Sequence, residues 1–415
     1  MKLGKYSFGM GDRFAHQGEA QLAAVKKAKT KGVDIIPVWN KSYREHKTVN
    51  TKPSAVRVEA DAAIQSLDFS GNYFVDADHI NLNNVADFLD YSDFFTIDVA
   101  EFIGKKASAE EIDAYVKGSQ QYLGELQIPG IEQTLKVTEE KLRVIAETFL
   151  FAVQNAAKIY QHIANHKGED KFVAEISMDE VDNPQTPIEL FFILQMIGQY
   201  KIPVRTIAPK FTGRFNKGVD YVGDLDQFAR EFEQDLLVID FAIKKFGLPT
   251  DLKLSVHSGS DKFSIYAPIK KLLKKYDKGV HVKTAGTTWL EELIGLSVSG
   301  EQGLQLAKDI YVKALGRFDE LTGPYATVID IDKNKLPTAE AIQQWDGQQY
   351  ANALRHIEDH PQYNPNFRQL LHCGYKIAAE FGEKYYQALK DNKAVIAENV
   401  TENLYDRHIK HLFLD

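Results

Sequence analysis

One cysteine in 415 residues, Cys373, has no partner for an internal disulfide. That excludes a disulfide-stapled fold and points to a reducing compartment. No stretch approaches the roughly 18 consecutive apolar residues needed to cross a bilayer, and the opening MKLGKYSFGMGDR lacks the apolar core that a secretory leader carries behind its lysines. The chain is therefore expected to be soluble and cytoplasmic, with no membrane partner. Positive charge is also short. Lys and Arg number 50 against 58 Asp and Glu, a net charge of −8, so nothing drives the chain electrostatically toward nucleic acid, although a local basic pocket can still hold a small anion. Low-complexity tracts are missing as well. What is present is apolar content of 44%, with 11% aromatic residues, which is enough to bury a large core and incompatible with a disordered or collagen-like chain.

Eight short apolar or β-branched runs recur, each ending in a polar cluster and followed by a helical pattern. They fall at 6–10, 34–38, 73–77, 94–97, 172–177, 204–208, 252–256 and 280–284, the last leading into Ala285-Gly286-Thr287. Helical periodicity marks 19–32, 136–168 (one long helix or two in series) and 224–247. Alternating strands and helices mean parallel strands joined by crossovers, and eight units predict a closed (β/α)8 barrel of the TIM type. An open doubly wound sheet is the competing reading. It normally carries a glycine-rich phosphate turn after its first strand, and GMGDR has no third glycine in place. The predicted catalytic barrel spans 1–287. Within it, 99–137 separates the fourth strand from its helix and is expected to form a lid-like insertion over the C-terminal face of the barrel. Residues 288–415 carry helical patterns at 339–360 and 372–390 and read as an α-helical extension packed on the barrel. Pro53, Pro184, Pro187, Pro361 and Pro365 mark loops.

Barrel strands are buried on both faces and should be almost unbroken apolar runs. Here several carry ionisable groups toward their C-terminal ends, where barrel active sites form. Side-chain alternation in FVAEISMDE puts Val173, Glu175, Ser177 and Asp179 on one face, so Glu175 projects into the barrel interior. A carboxylate there is costly unless it meets a metal, a cation or a proton. The same parity groups Lys253, Ser255 and His257 on the seventh strand, and His281 with Lys283 on the eighth, while Asp78 and His79 end the third. His79, His257 and His281 thus suggest a three-histidine divalent-metal site with an open position, beside Asp78 and Glu175. Each histidine alone also reads as an ordinary hydrogen-bonded strand-end residue. Three imidazoles suit zinc, nickel, cobalt, manganese or iron. Arg13, Lys210, Lys262 and Lys283 lie on or just past strand ends and are candidates to clamp a carboxylate or phosphate. Asp12, Asp98 and Ser258 stand beside them and join the substrate-binding candidates. No nucleophile elbow, Ser-His-Asp pattern or P-loop is present, and Cys373 has no base but its neighbour His372, about 100° away around a helix.

The stretches FGMGDR (8–13), DADHI (76–80), FFTID (94–98), EISMDEVDNPQTP (175–187), KGVDYVGDL (217–225), SVHSGSDKFSIY (255–266) and HVKTAGTTWLE (281–291) resemble the tagaturonate epimerase family of bacterial hexuronate catabolism, with weaker echoes in 368–375 and 408–412. The resemblance implies a metal-dependent isomerase of carbohydrate metabolism that interconverts D-tagaturonate and D-fructuronate. It places the metal ligands on His79, His257 and His281, the proton acceptor on Asp78 and the proton donor on Glu175. A keto-sugar acid is the partner so implied, and a homo-oligomer is compatible with the sequence. The two keto-acids differ at a carbon β to the ketone, whose C–H the carbonyl does not acidify, so enolisation cannot invert it. The chemistry expected is retro-aldol cleavage to a metal-bound enediolate and an aldehyde, rotation of the aldehyde, and re-addition. Transient oxidation by bound NAD is the alternative route, for which no dinucleotide fingerprint is present. A metal-dependent sugar isomerase or class II-type aldolase would use the same barrel mouth. A non-catalytic carbohydrate-binding protein is the more distant reading.

Overall fold

A computed structural model describes residues 1–284 and 287–414. Ala285 and Gly286, expected to follow the eighth strand, lie outside the described residues. The eight runs become strands β1 (Tyr6–Gly11), β2 (Ile35–Ser42), β3 (Phe74–Ile80), β4 (Phe94–Asp98), β7 (Val173–Ser177), β8 (Thr206–Ala208), β9 (Lys253–Val256) and β10 (Val280–Thr284), while β5 (Gly124–Leu126) and β6 (Leu135–Val137) pair as a separate antiparallel hairpin. The eight close into a parallel barrel in the order β1-β10-β9-β8-β7-β4-β3-β2, with helices around it. This is the (β/α)8 architecture predicted from the alternation.

The two-residue period divides each strand cleanly. Outward residues such as Phe8, Val75, Phe95, Ile97, Ile176 and Leu254 pack under the surrounding helices in the main core. Inward residues change character with height. At the bottom, Ile36, Val38, Phe74, Phe94 and Val173 form a separate apolar plug with Leu3 from the segment before β1. The Lys253 ammonium holds that segment in place, donating to the carbonyls of Gly4 (2.8 Å) and Lys5 (3.1 Å). Gly279 passes so close to Lys5 that a Cβ there would lie 2.0 Å from its carbonyl oxygen, a contact that only glycine avoids. Above the plug the inward residues turn polar: Ser7, Asp76, Thr96, Glu175, Ser255, His281 and Lys283, all buried.

The long pattern at 136–168 is one helix, Glu139–Lys167, opened by the Thr138 side chain accepting from Lys141 N and closed at Gly168, whose φ is 91°. Pro187 and Pro365, expected in loops, instead open the helices Pro187–Gln199 and Pro365–Cys373, where the missing N–H has no intrahelical partner to lose. The patterns at 339–360 and 372–390 are broken into shorter helices, Ala339–Gln343 and Gly347–Leu354, then Pro365–Cys373, Tyr375–Glu380 and Glu383–Asp391. Asp346 caps a fresh start within the first, and Gly382, at φ 55°, interrupts the second.

The insertion 99–137 lies along the outer helices. Tyr115 donates to Gln195 Oε1 (2.7 Å), and Gly130 lies against the Leu237 side chain. The C-terminal helices grip the barrel through a fully buried ion pair between Arg368 and Asp261, in the loop after β9, and the His408 ring accepts from the Asp261 amide (3.0 Å). Among the described residues no helix is long and apolar enough to cross a membrane.

Candidate active site

At the centre of the barrel the Lys283 ammonium sits 2.7 Å from Asp76 Oδ2, 2.7 Å from Asp78 Oδ1 and 3.2 Å from Glu175 Oε1, and it also hydrogen-bonds Thr96. Parity places all five inward, and pairing of Thr96 with Glu175 and of Asp76 with Phe94 sets them at adjoining heights. Burial disfavours every charge here, and mutual attraction decides which charges survive. Lys283 is held well above the usual amine range by its three carboxylates against the pull of burial. Burial would raise Asp78, but Lys283 and His79 outweigh it and bring it down to about 2. Glu175 is likewise held well below the carboxylate range by Lys283 and His257. For Asp76 burial wins, and its carboxyl rises to about 7.

One level up, His257 bridges two acids, with Nε2 2.7 Å from Glu175 and Nδ1 3.1 Å from Asp179. His79 stands at φ 52° with Nδ1 3.1 Å from Asp98, and its ring lies edge-on to that of His257 at 5.3 Å. The register shift at the end of β3 lets Asp78 and His79 both face the mouth. Potential ligand atoms of His79, Asp179 and His257 all lie within 4.8 Å of one another, and His79, Asp98 and Glu180 form an overlapping group. Two imidazoles and a carboxylate with further positions open fit a catalytic divalent cation.

His281 is not in that group. Val282 pairs with Val256, which sets His257 level with Lys283 and leaves His281 two residues lower, opposite Ser255 and Ser7. Its Nδ1 lies 2.9 Å from the Ser7 hydroxyl, and its ring packs near Phe94 at the apolar plug. Burial brings it down to about 3, so it is neutral. Parity identifies the inward face of a strand but not the height of a residue on it. The third member of the group of potential ligands is Asp179, on the Glu175 face of FVAEISMDE.

A cavity of about 450 Å³ opens above these groups, and a second of about 460 Å³ adjoins it, sharing Arg44, Asp179, Glu180, Lys217, His257, Ser258 and Tyr325. Of the substrate-binding candidates, Arg13, Lys283 and Ser258 line the first cavity and Lys210 lines the second. The other three are committed elsewhere. Asp12 caps the turn after β1, accepting from the amides of residues 14–17. Asp98 orients His79 and accepts from Ala100 N. The Lys262 ammonium is spent on the carbonyls of Asn216, Val219 and Ser260. Sequence reasoning missed Lys217, on a loop, Arg44, in the short helix Tyr43–Thr48, and Tyr325 and His372, in the C-terminal extension. No residue of 99–137 lines either cavity, and the wall expected of that insertion is supplied by Tyr325, Val328 and His372. Cys373 is buried, and burial pushes its thiol up to about 12, in keeping with no nucleophilic role.

A family model described as UxaE, tagaturonate epimerase, matches residues 1–412. The tagaturonate/fructuronate epimerase of Thermotoga maritima is 26% identical over 420 residues, an alignment that covers 97% of this chain and 80% of that protein. Crystal structures of the fructuronate-tagaturonate epimerase UxaE from Cohnella laeviribosi share the fold. The native form has a TM-score of 0.81 at 23% identity, covering 99% of this chain and 82% of that one. A glycerol complex gives 0.78 at 23%, covering 98% and 81%.

Proposed function

The chain belongs to the tagaturonate epimerase family, and from that premise we propose that it interconverts D-tagaturonate and D-fructuronate, or a closely related keto-sugar acid, with the help of a divalent cation. The observation that carries this reading is the buried group of Asp78, Glu175 and Lys283 beside His79, Asp179 and His257 at the foot of one cavity. His79, Asp179 and His257 would hold the cation. When bound, it supplies Lewis-acid stabilisation of negative charge on oxygen, worth several kcal/mol.

The residues then divide the proton work. Asp78, kept ionised by Lys283, accepts the proton of the hydroxyl β to the ketone. The bond between that carbon and its neighbour breaks, its electrons pass to the ketone as an enediolate, and the hydroxyl-bearing carbon becomes an aldehyde. Asp78 is a weak base, but Asp76, at about 7, is linked to it through one ammonium 2.7 Å from each. That pair can store the proton until the bond re-forms on the other face. The stored proton returns to the new alkoxide by way of Lys283 and Glu175, whose Oε1 lies 3.2 Å from the ammonium; Glu175, ionised at rest, is the donor only while it carries that proton.

Running the reaction in deuterated water tests this. Cleavage and re-addition leave the C–H bond at the inverted carbon intact, so the product carries no solvent deuterium there and a three-carbon aldehyde can be trapped. Deuterium at that carbon contradicts the cleavage route. Transient oxidation also retains the C–H, but it requires NAD in active protein and yields no fragment.

A further inference from the structure

Lys217 projects into the region shared by both cavities from a loop pinned at every residue. The Asn216 and Val219 carbonyls accept from the Lys262 ammonium (2.9 and 2.6 Å), the Gly218 carbonyl accepts from Arg368 Nε (2.6 Å), and the Lys217 amide donates to Val328 (2.8 Å). Gly218, at φ 74°, lets the loop lie against His372. Each of the four residues thus has one backbone group held, yet the Lys217 ammonium meets no hydrogen-bond or ion-pair partner among the described residues. Arg44, at the rim of the same space, is also without an ion pair, its guanidinium 5.4 Å from the centre of the Tyr325 ring. Arg13 stands in the first cavity too, but Glu45, at 3.2 Å, neutralises it. Two unpaired cations facing one pocket repel each other, and burial adds to the cost for Lys217. Burial, with Arg13 and Arg44 behind it, outweighs the nearby acids and lowers the Lys217 ammonium. Glu180 lines the same space and draws on both cations, but neither makes an ion pair with it among the described residues; rigidly placed cations without an ion pair are what an anion-binding seat requires.

We propose that Lys217 and Arg44 form the seat for the substrate carboxylate and set the preference for a keto-acid over a neutral ketose. The assignment rests on the proposed function. It also bears on the chemistry, because the aldehyde half that must turn over is the half that bears the carboxylate. An anchored carboxylate retains that half while its carbonyl rotates.

The test compares wild type with Lys217→Met, Arg44→Met, Lys210→Met and Lys217→Arg, using the keto-acid as substrate and the corresponding neutral ketohexose as competitive inhibitor. Lys217→Met is expected to raise KM for the keto-acid about ten- to a hundredfold, the range for losing a hydrogen bond to a charged group. It should leave the inhibition constant of the neutral sugar unchanged and raise the amount of three-carbon aldehyde trapped per turnover. Arg44→Met shifts KM in the same direction by less, and Lys217→Arg restores most of the loss. The assignment is overturned if KM and the neutral-sugar constant rise together, if Lys217→Met leaves KM unaltered, or if Lys210→Met alone carries the effect. Wild-type protein that leaves both keto-acids unchanged contradicts the proposed function, and the seat falls with it. Active wild type with an unaltered Lys217→Met contradicts the seat alone.

Discussion

His79 and His257 sit among carboxylates that reverse the effect of burial. Burial alone would lower both rings, but Asp78 and Asp98 bring His79 up to about 10, while Asp179 and Glu175 bring His257 up to about 9. A divalent cation takes only the neutral imidazole. At pH 7 both rings therefore carry a proton that the cation must displace, and affinity rises as pH climbs through 9 and 10. Titrating chelator-treated protein with zinc or manganese, in buffers of different ionisation enthalpy, should show release of about two protons per ion. A buffer-independent heat would mean the rings are neutral beforehand. His281, neutral and two residues lower, makes a second comparison. His281→Gln should keep the metal content of wild type by elemental analysis, whereas His79→Gln and His257→Gln should lose it. Equal loss in all three would place His281 in the ligand set. The site was partly legible at this scale: period-two alternation identified Glu175, His257 and Lys283 as inward-facing, and Asp78 stood out by its place at the end of the third strand. It was silent on Asp12 and Lys262, whose charge is absorbed by backbone groups that only the folded loops bring near.

Strands were the most legible elements, because burial on both faces leaves runs of Val, Ile, Phe and Ala that few other structures need. Their ends were less so. β2 continues through Trp39 and Asn40 to Ser42, since its inward Asn40 serves the polar upper barrel. The loop that carries Lys217 and the single short helix that carries Arg44, Tyr43–Thr48, have little periodicity to read, and the position of the Lys217 loop depends on contacts far away in the chain. The Arg368–Asp261 pair is the main such contact. Its guanidinium also holds the carbonyls of Gly218 (2.6 Å) and Leu354 (2.5 Å), so one side chain ties the C-terminal helices to the β9 loop and to the Lys217 loop. Removing one member of a fully buried pair leaves the other charge unpaired, which costs about 3–5 kcal/mol. Arg368→Met should therefore lower the urea midpoint by that equivalent. Restoring neutrality with Arg368→Met/Asp261→Asn should recover part of it. A single variant as stable as wild type would show that the pair is dispensable.

The molecule as a whole assembles one cavity from distant parts. The barrel supplies the acid, amine and imidazole groups, an apolar plug seals them from below, and the C-terminal helices supply Tyr325 and His372 as a wall. The insertion 99–137, by contrast, is spent on the outer helices. This division explains why the family resemblance was strongest at strand ends and weak in the helices, whose packing tolerates many sequences. The proposed chemistry is epimerisation of a keto-sugar acid in this cavity with a cation held by His79, Asp179 and His257. The most direct measurement follows D-tagaturonate by NMR in the presence of purified protein, before chelation, after it, and after metal is returned. D-fructuronate signals should grow, stop after chelation and resume on reconstitution. Fully metal-loaded protein that leaves D-tagaturonate unchanged, or an undiminished rate after the metal is stripped, would contradict it.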